Sequence, residues 1–326
     1  MAMKSTDLYQ KVNAELWKGR VCDPQLGTQY WYQAVHQIDL MDASDLADID
    51  VAIIGYACDA GVRRNQGRAG AIHGPDAIRN RLAKVAWHHD TKRVADVGSL
   101  ICSTDNLEDF QIAFAAEIHE LLDQDVFPIA LGGGHDIAYA HFRGMYDWLI
   151  KKDSPSKIGI INFDAHFDLR PLATSANSGT PFNQILTEMD LEKVKVSYLP
   201  VGIQERSNTK ELFDIAKEKG VDWVTLDVVL NHETSSIARI IEFVEQHDFI
   251  YITIDLDGFS SAYAPGVSAS SPFGLTPSFV LKSLKEIFTS GKVLGLDLAE
   301  MNPKFDRDET TAKLAAGLVD VAVGNC

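Results

Sequence analysis

Apolar runs punctuate the chain near 51–56, 126–131, 158–163, 196–202, 222–226, 249–254 and 293–298, with a shorter one at 93–97. In Ile158-Gly-Ile-Ile-Asn-Phe163 and Phe249-Ile-Tyr-Ile-Thr-Ile254 the apolar positions are nearly continuous rather than alternating. That pattern predicts strands buried on both faces, as in a parallel sheet. Most of the intervening segments change period. In 107–123, Leu107, Phe110, Phe114, Ile118 and Leu121–Leu122 recur at three-to-four spacing, which predicts an amphipathic helix. Segments 75–85 (opened by Pro75 after Gly74), 137–151, 209–219, 235–246, 277–289 and 309–319 read the same way. Strands alternating with helices make βαβ units, so the expected fold is α/β, a three-layer αβα sandwich around a single parallel sheet of about eight strands. No repeat or linker divides the chain, and it reads as one domain over 1–326 with an irregular lead-in at 1–50 and a short helix expected at 6–17.

The polar residues at the ends of these runs carry the chemistry. The run 158–163 stops at Asp164-Ala-His166-Phe-Asp168, and 249–254 stops at Asp255-Leu-Asp257-Gly258. The run 126–131 leads into Gly132-Gly-Gly-His135-Asp136, and 293–298 into Ala299-Glu300. Ionisable groups at the end of a buried strand are costly unless something compensates their desolvation. Continued in extended form, residues two apart would point the same way and Asp164, His166 and Asp168 would converge. Ligands of open parallel sheets bind outside the carboxyl ends of the strands, so four such ends describe one site. Four carboxylates and two imidazoles, from His135, Asp164, His166, Asp168, Asp255 and Asp257, suit two divalent ions sharing bridging carboxylates. Oxygen-rich ligation favours Mn²⁺. Glycines 132–134 lack a following Lys-Ser/Thr and read as a tight strand-to-helix turn, which argues against a phosphate loop. His73, His88, His89 and His141 lack partners at ligand spacing. The uncharged stretch 258–275 is long enough to be a functional loop.

Composition narrows the partners. A formal charge of −16 disfavours nucleic acid and anionic membrane as partners. No apolar run is long enough to span a bilayer, and the amino terminus lacks the apolar core of a signal peptide. Cys22, Cys58, Cys102 and Cys326 are scattered without CxxC pairing, as reduced thiols of a cytoplasmic protein would be.

The motifs GGGHD, NFDAHFD, TIDLDGF and LAEMNP, in this order, resemble those of the arginase/agmatinase (ureohydrolase) family over about residues 50–320. The resemblance implies an arginase-like fold, a binuclear manganese centre, a metal-bridging hydroxide as nucleophile and a trimeric or hexameric homo-oligomer. Carried over by motif, His135 and Asp168 would serve the first ion, His166 and Asp257 the second, with Asp164 and Asp255 bridging. Glu300 would hydrogen-bond a substrate nitrogen.

Three departures bear on the substrate. Ser178, in Asn177-Ser-Gly-Thr-Pro181, stands where relatives have a histidine, and it cannot shuttle a proton near neutral pH. The arginase segment that recognises an α-ammonium through aspartate corresponds to Gly202–Ser207, where Arg206 and Ser207 stand instead. Arg170 follows the metal motif, and Arg63 lies in the basic loop Gly61–Arg68. Arginines are the preferred forks for carboxylates, so Arg63, Arg170 and Arg206 predict a dianionic small-molecule substrate. GVRRNQGR and NSGTPF resemble the formimidoylglutamase branch, which implies hydrolysis of N-formimino-L-glutamate to L-glutamate and formamide in histidine degradation. An agmatinase or other guanidino-acid hydrolase would release urea instead. A non-catalytic metal-binding homologue is disfavoured by the complete ligand set.

Overall fold

The computed structural model describes residues 5–41, 46–152, 156–172 and 175–326; residues 1–4 and 42–45 of the expected lead-in lie outside that set. Ten strands are found among the described residues: β1 (Tyr9–Gln10), β2 (His36–Gln37), β3 (Val51–Ala57), β4 (Val94–Ile101), β5 (Phe127–Leu131), β6 (Ile158–Phe163), β7 (Val196–Ile203), β8 (Val224–Thr225), β9 (Phe249–Asp255) and β10 (Val293–Ala299). They form one sheet in the order β1-β4-β3-β5-β10-β9-β6-β7-β8, with β2 also on β4. β1 runs antiparallel to β4 and every other pairing is parallel.

All eight expected strands are present. The sheet departs from the expectation by two short strands from the lead-in, one of them antiparallel. The paired residues of β1 and β2, Tyr9-Gln10 and His36-Gln37, belong to no apolar run, so they are invisible in the pattern, whereas β8, equally short, lies within the expected run 222–226. The helix expected at 6–17 is broken into Ser5–Leu8 and a 3-10 turn at Ala14–Leu16. Between them Tyr9 and Gln10 pair with Leu100 and Ser99, and Trp17 donates its indole N–H to buried Asp96 at 2.6 Å. Docking on the sheet edge outweighs the local helical preference.

The strands feed two cores by alternation. On β3, Ala52, Ile54 and Tyr56 face one and Val51 and Ile53 the other. Helices Leu107–Asp123, Ile137–Lys151, Pro181–Leu191 and Lys210–Glu218 cover the first face. Helices Gly74–Leu82, Glu233–Glu245, Pro277–Thr289 and Thr310–Asn325 cover the second. The helix at Pro181–Leu191 was not anticipated, and the last helix runs six residues past its expected end at 319. Both faces being buried explains why the strands read as continuous apolar runs.

Candidate metal centre

The four central strands, β5, β10, β9 and β6, lie side by side, and the singled-out polar residues stand at their carboxyl ends. Two clusters result. His135, Asp164, Asp168 and Asp255 bring one ligand atom each within 4.8 Å of one another, and so do Asp164, His166 and Asp257. Asp164 belongs to both, and Asp255 to the first alone.

The convergence is not the extended continuation expected from spacing. The backbone turns immediately after each strand. His166 N–H donates to Asp164 Oδ1 at 2.7 Å and Asp257 N–H to Asp255 Oδ1 at 2.8 Å, so each leading aspartate closes a turn on the residue two further on. Asp168 sits at φ 47°. His166 therefore joins Asp257 while Asp168 turns back to His135. Asn208 fixes this turn, accepting from Phe167 N–H at 2.9 Å and donating to Ala165 O at 2.9 Å. Asn162 Nδ2 donates to Asp164 Oδ2 at 3.0 Å. Neither asparagine was singled out from sequence, because such braces have no fixed spacing from the residues they hold.

His135 shows what the first cluster accommodates. Its Nδ1 lies 3.2, 2.9 and 3.0 Å from carboxylate oxygens of Asp164, Asp168 and Asp255, yet it has no hydrogen-bond partner. Its Nε2 lies 3.0 Å from Thr253 Oγ1, whose own proton goes to Asp297 Oδ1 at 2.6 Å. Nε2 is thus the protonated nitrogen, and a lone pair on Nδ1 faces three carboxylates. A cation among them reconciles that arrangement, and the mix of oxygen and imidazole donors fits Mn²⁺. The titration directions show the same excess of negative charge. Burial, with a contribution from Asp164, raises Asp168 to about 6. Burial, then the charge of Asp255, pushes Asp257 well above the usual range. Burial opposes charging of His135, but Asp255, Asp164 and Asp168 together hold its pKa well above the ordinary value, so without a metal ion a proton takes the place on Nδ1 that the ion would occupy.

Glu300 closes the floor. It holds a left-handed φ of 65°, its N–H donates to Gly133 O at 2.7 Å, and its Oε1 accepts from His135 N–H at 3.1 Å. Its buried Oε2 has no partner. Strained, unsatisfied side chains of this kind cluster at functional sites. The glycines at 132–134 serve close approach rather than turn conformation: a Cβ on Gly133 would lie 1.7 Å from Cys58 O.

Above the clusters is a cavity of about 200 Å³ lined by His166, Asp168, Asp255, Asp257, Glu300, Asn65, Arg170, Ser178, Ser207 and Asn208, among others. Arg170 and Ser178 reach it as expected. Asn65 and Ser207 join them, and Asn65 Nδ2 donates to Ser178 Oγ at 3.1 Å. The Arg170 guanidinium has no ion-pair or hydrogen-bond partner among the described residues. Arg63 and Arg206 are not in this cavity. Arg63 is held by Asp59 and by Asp105 at 2.9 Å, and Arg206 stacks 4.4 Å over the Phe273 ring beside a separate cavity. Asp59, four residues before Arg63, stands at helical ion-pair spacing, whereas Asp105 and the Phe273 ring lie at separations from which no pairing could be read.

Two sets of metal-type ligands at the carboxyl ends of parallel strands define an α/β protein built to hold metal ions. The arginase-family model matches residues 49–324. The chain is 37% identical over 319 residues to formimidoylglutamase of Clostridium tetani, covering 95% of this chain and 94% of that one. It is 39% identical over 314 residues to formimidoylglutamase of Legionella pneumophila, covering 95% and 96%. Among solved structures, Trypanosoma cruzi formiminoglutamase with Mn²⁺ matches at a TM-score of 0.78 and 24% identity, over 88% of this chain and 98% of that one. Formimidoylglutamase of Bacillus subtilis matches at 0.72 and 26%, over 85% and 87%. The chain belongs to the arginase family.

Proposed function

We propose that this chain hydrolyses N-formimino-L-glutamate to L-glutamate and formamide with two manganese ions. The observation that carries the reading is Arg170, without a side-chain partner among the described residues, at a cavity floored by two imidazole–carboxylate clusters and the unsatisfied Glu300. The relatives that match almost end to end are formimidoylglutamases, which supports the same substrate.

His135, Asp164, Asp168 and Asp255 would hold one ion, and Asp164, His166 and Asp257 the other. Asp255, whose charge acts on Asp257, is the second candidate for sharing. A pair of divalent ions supplies a nucleophilic water near neutral pH and stabilises developing negative charge. The remaining work falls to the chain's own groups. Glu300 Oε2 is free to accept an N–H of the formimino group and orient its carbon. Water adds to that carbon, the bond to glutamate nitrogen breaks, and the departing amine takes up a proton. Ser178, held by Asn65, offers a hydroxyl at the cavity but no group that titrates near neutrality. Arg170 pairs with a substrate carboxylate at the rim, and Asn65 and Ser207 contribute neutral donors beside it.

We also propose a single domain, a cytoplasmic location in keeping with four free thiols, and a homo-oligomer acting on a small dianion, with neither nucleic acid nor membrane as partner. Among the described residues no helix is long and apolar enough to cross a membrane. The function is tested by giving Mn²⁺-loaded protein formiminoglutamate, arginine and agmatine in parallel. Formamide and glutamate from the first alone are expected; urea from either of the others would reverse the assignment.

A further inference from the structure

Beneath the first cluster, between the sheet and helix Ile137–Lys151, lies a buried polar network. Thr253 and Asp297 are direct cross-strand partners on β9 and β10. Thr253 shares a sheet face with Asp255, two residues on, so the same strand presents a metal-type ligand and the group behind another one. Asp297 is fully buried and accepts three hydrogen bonds. Thr253 Oγ1 donates to Oδ1 at 2.6 Å, His141 Nδ1 to Oδ2 at 2.8 Å, and the Tyr251 hydroxyl also to Oδ2. Burial, then the charge of Asp297, pushes the Tyr251 hydroxyl well above its ordinary pKa, which keeps it a donor.

We propose that Thr253 and Asp297 are positioning residues that fix the tautomer of His135 and thereby the affinity of the first metal position. The inference rests on the two-ion reading above. A threonine hydroxyl has one proton. Surrounded by donors, the Asp297 carboxylate takes that proton, so Thr253 Oγ1 can only accept from His135 Nε2–H. The lone pair is thereby locked on Nδ1, the nitrogen that faces Asp164, Asp168 and Asp255. Partners of this kind behind a ligating histidine typically change metal affinity by about 10–100-fold. The second cluster has no such link among the described residues: His166 Nδ1 faces Asp257 at 3.2 Å and Asp164 at 3.4 Å, and its Nε2 has no hydrogen-bond partner there. The effect is therefore confined to one of the two ions.

Asp297→Asn reverses the chain of donors. With its carbonyl kept toward Tyr251 and His141, the new amide donates to Thr253 Oγ1. The threonine proton then goes to His135 Nε2, and Nδ1–H points at the carboxylates. A wrong tautomer in an otherwise intact site is the known consequence of such an exchange behind a catalytic histidine.

The test measures bound manganese per chain and Mn²⁺ dissociation constants for wild type, Thr253→Val, Thr253→Ser and Asp297→Asn, with metal-free melting as a check on folding. Wild type should bind two ions. Thr253→Val and Asp297→Asn should retain one at the wild-type constant and bind the other about 10–100-fold more weakly. Thr253→Ser, which keeps the hydroxyl, should restore it. If Thr253→Val fails to fold, Asp297→Asn with Thr253→Ser carries the test. Folded variants holding two ions at unchanged constants would overturn the proposal. So would equal weakening of both ions without rescue by serine, which marks a general structural role. Wild type binding fewer than two ions would instead overturn the two-ion reading itself.

Discussion

Removing the Arg170 guanidinium tests the substrate assignment at its most exposed point. Arg170 lines the cavity, its backbone N–H is held by Gly179 O at 2.9 Å, and its side chain has no protein partner among the described residues. Hydrogen bonds to a charged group contribute about 1.5–3 kcal/mol. Arg170 is solvent-exposed, and exposed ion pairs are worth less, so the lower half of that range applies. At about 1.4 kcal/mol per factor of ten, Arg170→Ala should raise KM for formiminoglutamate by roughly 10–40-fold. In the proposed arrangement the contact would lie away from the reacting carbon and act equally before and during reaction, so kcat should change little. Arg170→Lys keeps the charge but loses the planar fork and should recover only part of the loss. The wild-type KM should also rise between low and moderate ionic strength, and the alanine variant's much less, because charges at the rim are screened over about 10 Å at 0.1 M salt. Initial rates at varied substrate and salt measure all three effects. An unchanged KM in Arg170→Ala, with manganese fully bound, would refute the dianion argument.

Single-ligand substitutions should separate the clusters by bound manganese. Asp168→Ala should release the first ion and Asp257→Ala the second, while Asp164→Ala, shared by both, should release both. Manganese should stabilise the protein more as pH rises through about 6, the raised value of Asp168. In the metal-free protein a raised carboxyl contributes stability below its unfolded value and loses it as pH rises through 6, whereas metal binding needs it ionised; a melting increment flat from pH 5 to 7 would contradict this. Arg63→Ala should leave KM unchanged and cost at most about 1 kcal/mol in urea unfolding, because Arg63 is a half-exposed strut between Asp59 and Asp105. Gly133→Ala drives a Cβ into Cys58 O and should cost about 1–3 kcal/mol or more, lowering the unfolding midpoint without changing its slope.

The eight principal strands and the six metal-type ligands were legible because each rests on a local signal. A strand buried on both faces must be apolar at successive positions, and ligands must stand where such a strand ends. What could not be read depends on tertiary neighbours. Arg63, Arg170 and Arg206 look alike in sequence; Asp59 and Asp105 occupy the first and the Phe273 ring the third, and of the three only Arg170 lines the cavity, with no side-chain partner among the described residues. His141 had no partner at ligand spacing because its partner, Asp297, is 156 residues away on β10. The turns at 164–168 and 255–257 escaped the extended reading because an aspartate's acceptor can close on the N–H two residues on as readily as its backbone can stay extended.

Charge balance then orients the substrate. The four aspartates of the two clusters carry four negative charges when ionised, which two divalent ions match. Glu300 is left over, buried, with one oxygen unsatisfied and its pKa raised first by burial and then by Asp255 and Asp257. Ions at the clusters would offset those two aspartates, and the remaining penalty, burial, is one that a protonated formimino group would relieve by pairing with Glu300. The cavity is thus acidic at its floor and carries at its rim Arg170, a cation without a side-chain partner among the described residues. A substrate cationic at the reacting end and anionic at the other can enter in only one direction. Arginine or agmatine would satisfy Glu300 equally well, but agmatine brings no carboxylate to Arg170. Arginine brings one carboxylate together with an α-ammonium that Arg170 repels. On the function proposed above, the rim rather than the metal floor sets the choice among C=N substrates, and exchanging Arg170 for aspartate should weaken formiminoglutamate more than it weakens agmatine.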